Sequence, residues 1–466
     1  MERKSVAWAL VATSLPMFMV AVDNLVVTNA LAVIAEDLDT DQAGLQWVMS
    51  GYILVFAGLL LAGAALGDRI GRRRVFVWGI ALFTVASAAC ALADTSATLI
   101  AARALQGIGA AAILPVSLTL AVQAAGTERR ALAVGVWGGV NGLGIAVGPL
   151  VGGLVTEGLD WHWIFWINVP VGVVALPLAL WVLRESRGAP RPLDVLGTVL
   201  VTGAVISAVW GIVQFEAGGL PVLLGGLVVA TALLMVFRYW QQRAPAPLVP
   251  PHLYRVRAFM LSNVLALAMY FGVFGSVFFL AQFLQNTMGY SPFEAGLRTL
   301  PWTAAPMVAV PVASALVGRV GGGILQAVGC LLQAGALLWL GLTARPGVSY
   351  TEMSAAMALA GIGMGLVFAA NPSTVIGSVA EHEHNVASGV NNTLREFGGA
   401  LGIAVLTAVY VNSGLRSAVL TGAAVVFAGA FAGFAIDRGK PGPGSAPGPS
   451  PLRSAPSDLP EPSRPG

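Results

Sequence analysis

Leu105-Gln-Gly-Ile-Gly109 returns 254 residues later as Leu359-Ala-Gly-Ile-Gly363, and Gly135, Gly144 and Gly148 fall at the same offset on Gly389, Gly398 and Gly402. At an offset of 250, Leu66-Gly-Asp-Arg-Ile-Gly71 meets Leu316-Val-Gly-Arg-Val-Gly321. Single glycine coincidences mean little in a chain with 57 glycines. Several spacings agreeing at once mark an internal repeat, the sequence feature with the widest reach over a fold.

The repeated segments lie in apolar windows. Of the 466 residues 57% are hydrophobic and 10% charged, against roughly 45 to 50% and about 25% in soluble domains. Windows bounded by charge, Gly/Pro or Asp/Asn number fourteen, beginning near residues 7, 45, 75, 97, 131, 163, 194, 219, 259, 293, 322, 351, 387 and 416 and ending near Ile436. A helix needs about 20 apolar residues to cross a bilayer. The predicted class is therefore an all-α membrane protein with 14 transmembrane helices. Eight windows separate each repeated pair, an even number, so the copies share an orientation. That gives two parallel six-helix halves, residues 1–186 and 258–436, with two inserted helices and their linkers at residues 187–257. Residues 437–466, rich in Pro, Gly and Ser, read as a disordered tail.

An even helix count puts both termini on one side. Twenty of the 25 basic residues fall on that side, while Arg298, Arg345 and Arg416 fall on the other, so the positive-inside rule places the termini in the cytoplasm. A net charge of +3 points to no nucleic-acid partner. Cys90 and Cys330 lie inside apolar windows and offer neither a disulfide framework nor a thiolate metal site. Lys4 and Lys440, the only lysines, stand in no phosphate-cradling loop, which excludes ATP drive from this chain. Glu381, His382, Glu383 and His384 read as a solvated loop rather than a metal site. No metal and no cofactor is expected.

Charges in lipid are expensive, so those inside the windows are the candidate functional residues. Asp23 lies about 24 Å from the inner start of the first window and Arg103 about 20 Å from the same side on the fourth, so the two can meet. Such a pair can be a static tie. In a cavity it can also exchange a proton against its partner, because losing the arginine favours the protonated acid. Asn24 and Thr28, one turn apart, and Arg103 and Gln106 form polar strips expected to face a cavity. Asn391, Asn392, Arg395 and Glu396 form a second-half polar cluster, either a gate or a static set of partners for helix ends. Gly144, Gly148 and Gly152 share one helix face open to close packing, and Pro149 and Gly153 add a bend. Asp68, Arg69, Gly71, Arg72 and Arg73 make a tight charged turn on the inner side. The aromatic run from Tyr270 to Phe283 covers more than one helix face, which predicts that some rings meet lipid while others form a wall for a ligand.

These residues resemble the major facilitator superfamily, in particular its fourteen-helix branch of drug:proton antiporters. Leu66 to Arg74 resembles the signature loop after the second helix, with Ala64 where that motif begins with Gly. Arg103 to Gly109 resembles the motif whose arginine the family assigns to proton coupling. Gly135, Gly144, Gly148, Pro149, Gly152 and Gly153 match the fifth-helix motif associated with antiporters. Asp23 to Leu31 resembles the branch's first-helix motif, with Leu25, Thr28 and Ala32 in place of Thr, Asn and Pro. Trp161 to Pro170 and Gly289 to Pro301 are similar to further stretches of the branch. The resemblance implies a monomeric carrier in a bacterial cytoplasmic membrane, not an enzyme, whose partners are a lipophilic small molecule, protons and the bilayer. Asp23, Asn24, Thr28, Arg103 and Gln106 would couple protons and line the substrate cavity, and Asp68 to Arg73 would form the cytoplasmic gate. An uptake carrier of the same fold is the alternative.

Overall fold

A computed structural model of the chain describes residues 3–126, 129–187, 194–345, 347–380 and 383–436. They form α1 (Arg3–Asp37), α2 (Gln42–Ile70), α3 (Arg72–Ala91), α4 (Ser96–Ala125), α5 (Arg130–Gly158), α6 (Trp163–Trp166), α7 (Asn168–Val182), α8 (Val195–Val213), α9 (Phe215–Gln241), α10 (Arg257–Gln282), α11 (Pro292–Val320), α12 (Gly322–Thr343), α13 (Tyr350–Gly377) and α14 (His384–Ile436). Residues 437–466, read from sequence as a disordered tail, lie outside the described residues.

Among the described residues twelve helices are long and apolar enough to cross a membrane. This is fewer than the fourteen windows read from sequence, for two reasons. The window from residue 131 falls on α5, which is not among the twelve, and the windows from 387 and 416 run together in the 53-residue α14. Inside α14 the backbone leaves the helix at Gly414, with φ 76° and ψ 175°. Only glycine takes that conformation without strain.

Helix packing repeats as the sequence does. In the first half α2 and α3 both pack on α4, and α1 packs on α5; in the second, α11 and α12 pack on α13, and α10 packs on α14. Glycines set how closely the axes approach. A Cβ on Gly144 would lie 2.8 Å from the Ala21 Cβ, one on Gly148 2.8 Å from the Leu25 Cβ, and one on Gly152 2.6 Å from the Val26 carbonyl oxygen. The repeated Gly398 and Gly402 meet the Leu267 and Phe271 backbone in the same way. Small residues that admit a neighbouring backbone are the usual basis of helix association in lipid, where no hydrophobic drive exists between helices.

The halves meet along α5 and α11, and along α2 and α14. The inner end of the bundle is the one that carries Asp68–Arg74. At the outer end Glu157 Oε2 accepts the Ser291 hydroxyl at 2.6 Å and the Phe293 amide at 3.1 Å. Gln285 donates to the Asn29 carbonyl at 3.1 Å, and Gln42 donates to Gln282 at 3.2 Å. The inserted helices α8 and α9 pack on each other, and α8 also rests on α2 and α14. Asp194 ties their inner ends together. Its carboxylate accepts the Gly197 amide at 2.7 Å, Trp240 Nε1 at 2.6 Å, Gln241 Nε2 at 2.5 Å and the Leu248 amide at 3.1 Å.

Candidate functional site

Two polar sets occupy the interior, one in each half. In the first, Arg103 Nη1 on α4 lies 2.6 Å from Asp23 Oδ2 on α1. Asp23 Oδ1 accepts Gln106 Nε2 and Asn168 Nδ2, each at 2.8 Å. Arg103 Nη1 also donates to Gln106 Oε1 at 2.7 Å, and its Nε donates to the Val48 carbonyl at 3.4 Å. Ser87 accepts from Asn168 at 3.0 Å and donates to the Phe165 carbonyl at 2.9 Å. The Tyr52 ring lies 4.2 Å from the guanidinium carbon. Three donors on two carboxylate oxygens satisfy an ionised acid, which can only accept.

Between the halves lies a cavity of about 490 Å³. Its wall runs from Thr28, Met49 and Trp302 to Asp68, Arg72, Ile376 and Ser388 at the inner helix ends. Tyr270, Phe274, Phe278 and Phe368 supply aromatic surface, with Tyr270 and Phe274 stacked at 5.6 Å. Arg395, Glu396 and Asn392 also line it. Arg395 Nη1 donates to Asn392 Oδ1 at 3.2 Å, its Nη2 donates to the Tyr270 hydroxyl, and its charge lies over the Tyr270 and Phe368 rings. Glu396 Oε2 is buried without a hydrogen-bond partner among the described residues. Asn391 points elsewhere, donating to Asn263 Oδ1 at 2.9 Å.

The first polar strip differs from its sequence reading. Asp23, Arg103 and Gln106 are 1%, 0% and 0% exposed, and none of them lines the cavity. Thr28 does line it, while the Asn24 side chain lies outside the described residues. The reason is helical phase: Ala21, Leu25 and Thr28 share the cavity face of α1, and at about 100° per residue Asp23 stands roughly 160° away from Leu25. The aromatic run differs too. Phe271 and Phe279 are 8% and 1% exposed, buried against helices rather than turned to lipid, and Phe279 stacks on Tyr410 at 4.7 Å.

At the inner turn Arg72 bonds Asp68 at 2.6 Å, and both line the cavity mouth. Arg73 donates its amide to Glu185 Oε1 at 3.0 Å and a guanidinium hydrogen to the Leu183 carbonyl at 3.2 Å. Arg74 donates its amide to Glu185 Oε2 at 3.3 Å, so this carboxylate closes the start of α3. Gly71 has φ 125°, and a Cβ there would lie 2.7 Å from the Glu185 carboxylate. Arg69 is exposed. Pro149 and Gly153 sit where α5 meets α11: a Cβ on Gly153 would lie 2.6 Å from the Phe293 Cα, and the Pro149 carbonyl accepts Asn29 at 2.6 Å. The surroundings of Gly135 lie outside the described residues. Glu381 and His382 do as well, while Glu383 pairs with His252 at 2.5 Å.

Ser87, Asn168, Tyr52 and Glu185 were not singled out in the sequence. Asn168 and Ser87 carried a usable signal, since each is a polar side chain inside an apolar window. Tyr52 carried none that separates it from a packing aromatic.

A family model described as Major Facilitator Superfamily matches residues 13–403. The chain is 36% identical over 402 residues to the tetracenomycin C resistance and export protein of Streptomyces glaucescens, covering 85% of this chain and 74% of that protein. It is 37% identical over 426 residues to a puromycin resistance protein of Streptomyces alboniger, covering 89% and 83%. A crystal structure of a POT family transporter in complex with 5-aminolevulinic acid shares the fold at a TM-score of 0.71 and 16% identity, over 92% of this chain and 95% of that one.

Proposed function

The chain belongs to the major facilitator superfamily and is a multi-pass membrane transporter rather than an enzyme, and from that premise we propose that it exports an amphipathic small molecule in exchange for protons. The relatives named for resistance and export support the direction and the kind of cargo. In this reading the inner end faces the cytoplasm of a bacterium, the chain crosses the membrane fourteen times as a monomer, and the two halves rock about the cavity. The cavity's reach toward the inner helix ends, with the halves joined at the outer end, corresponds to an inward-facing carrier.

The observation that carries the exchange is the hydrogen-bond set on Asp23. The acid accepts one arginine and two amide donors, so a proton on Oδ2 would face Arg103 Nη1 where an acceptor is required. Protonation therefore releases the guanidinium, and deprotonation recaptures it. Breaking a buried pair leaves a charge uncompensated, typically at 3–5 kcal/mol, which is enough to reset how α1 and α4 pack. One proton entering down about 150 mV releases about 3.5 kcal/mol, enough to concentrate a neutral cargo a few hundredfold. The aromatic wall and the partner-free Glu396 oxygen suit a cargo with an aromatic body and a polar handle.

The test is Asp23→Asn in proteoliposomes with an imposed pH gradient. Export driven by the gradient is expected to disappear while cargo still binds the purified protein. Gradient-driven export at the wild-type rate would remove Asp23 from the mechanism.

A further inference from the structure

The ion pair is buried away from the cavity, and the two approach each other at one side chain. The groups bonded to Asp23 or Arg103, or stacked on the guanidinium, are Gln106, Asn168, the Val48 carbonyl, Tyr52 and Phe165. Among these described residues Tyr52 alone also lines the cavity. Its ring has the guanidinium 4.2 Å from its centroid and stacks with Phe56 at 5.7 Å. Among the described residues the hydroxyl has no hydrogen-bond partner, and neither has Arg103 Nη2. Stacking, not the hydroxyl, therefore holds the ring in place. The backbone beneath it is fixed as well, because α4 packs so closely that a Cβ on Gly107 would lie 2.6 Å from the Tyr52 carbonyl oxygen.

We infer that Tyr52 is a positioning residue whose ring partitions the Asp23–Arg103 pair from the cavity, so that protons in the cavity reach Asp23 only when the ring moves. The functional consequence rests on the proton-exchange reading of Asp23. An empty inward-facing carrier that could reload a proton from the cytoplasm would return outward without cargo. A hydrocarbon plate over the pair blocks that reloading while the carrier faces inward.

The chain contains its own reporter. Cys90 is buried behind the pair, with its thiol 3.7 Å from Gln106 Oε1, and Cys330 is equally buried in the other half. Labelling by a small uncharged maleimide, mapped by mass spectrometry on the full-length protein in nanodiscs, reads access to the pair at Cys90 and global loosening at Cys330. In Tyr52→Ala, Cys90 is expected to label at least about tenfold faster than in wild type, a barrier lower by about 1.4 kcal/mol, with Cys330 unchanged. Tyr52→Phe, which keeps the ring, is expected to label at the wild-type rate. Tyr52→Val replaces the alanine variant if Cys330 also becomes reactive. Slow Cys90 labelling in folded Tyr52→Ala or Tyr52→Val overturns the partition, and so does fast labelling in Tyr52→Phe.

A second readout follows the consequence. Acid on the inner side is expected to inhibit export by Tyr52→Ala more strongly than export by Tyr52→Phe. Arg103 and Cys90 facing the pair, and Asp68, Arg72, Arg395 and Glu396 facing the cavity, are common to both variants, so the difference isolates the ring. Equal inhibition overturns the consequence. If Asp23→Asn exports normally the proton-exchange reading falls, and Cys90 labelling still decides the partition.

Discussion

Glu157→Ala is expected to open the outer end. The Glu157 carboxylate reaches from α5 across to the first turn of α11, where it accepts the Ser291 hydroxyl at 2.6 Å and the Phe293 amide at 3.1 Å. Helix α11 does not need it. Ser291 and Glu294 already form a reciprocal capping box of their own, so the link acts between the halves rather than on the helix. Both bonds are exposed and belong at the low end of their range, about 0.5 kcal/mol each. The negative charge at a helix N-terminus adds about 0.3–1 kcal/mol, weakened by salt. The loss of about 1–2 kcal/mol shifts the balance from outer-closed to outer-open by roughly 5- to 30-fold. Glu157→Gln, which keeps an acceptor and loses the charge, should fall between. Spin labels on cysteines replacing Leu159 and Leu297, both exposed at that end, would report the separation by pulsed electron resonance, and the native cysteines are buried. The same distance distribution in wild type and Glu157→Ala, within about twofold in populations, would refute the assignment of this contact as a gate.

Gly148→Ala is expected to lower thermal stability, because its Cβ would lie 2.8 Å from that of Leu25 and overpacking costs about 1–3 kcal/mol; Gly225→Ala, which meets nothing within 4 Å, should gain the roughly 1 kcal/mol of helix propensity instead. Equal melting shifts in the two would contradict the packing argument. For Asp194, burial works to raise the carboxyl pKa, but hydrogen bonds from Trp240, Gln241 and the Gly197 and Leu248 amides outweigh it and hold the value below the ordinary range. A depressed carboxylate stabilises the fold above its unfolded pKa of about 3.9 and loses that contribution as pH falls through the folded value. Wild type should therefore lose melting temperature on acidification below about pH 4 more steeply than Asp194→Asn, and parallel curves would exclude this carboxylate as the cause.

How much was legible depends on whether a property lives along the chain or across it. Depth lives along the chain, since each residue of a helix advances about 1.5 Å, and so Asp23 and Arg103 could be brought to one level by counting. Facing lives across it. The stripe Ala21, Leu25 and Thr28 has a four-then-three spacing that leaves Asp23 off its face, but apolar residues surround all sides of α1 and nothing in the composition says which side is wet. The helix count is blurred for a related reason: the windows from 387 and 416 fall on one continuous element, α14, whose backbone leaves helical φ/ψ only at Gly414, so hydropathy marks two runs where the helix shows a single kink. Asn29 carries the same signal as Asn168, a polar side chain inside an apolar window, but its partner is a backbone carbonyl, that of Pro149 at 2.6 Å, which no residue type marks in the sequence.

The repeat duplicates packing and the exposed Arg69, which recurs as Arg319, but leaves the buried and cavity-lining charges single. Shifted by 254, Asp23 falls on Val277 and Arg103 on Met357, while Arg395 and Glu396 fall back on Asn141 and Gly142. Shifted by 250, the Asp68–Arg72 bridge falls on Gly318 and Gly322, yet the turn itself survives, because Gly321 keeps a φ of 94° where Gly71 has 125°. A glycine that admits a backbone contributes in both copies, since each half must close its own helix pairs. A buried ion pair carries a desolvation penalty each time it is made, so a second copy would raise that cost without adding a second site for one proton. The first half thus holds its pair dry behind Tyr52, and the second presents Arg395 and Glu396 to the cavity. Two such unlike interiors, one walled off from the cavity and one lining it, suit the proposed exchange of two different ligands, which a symmetric pore would not need.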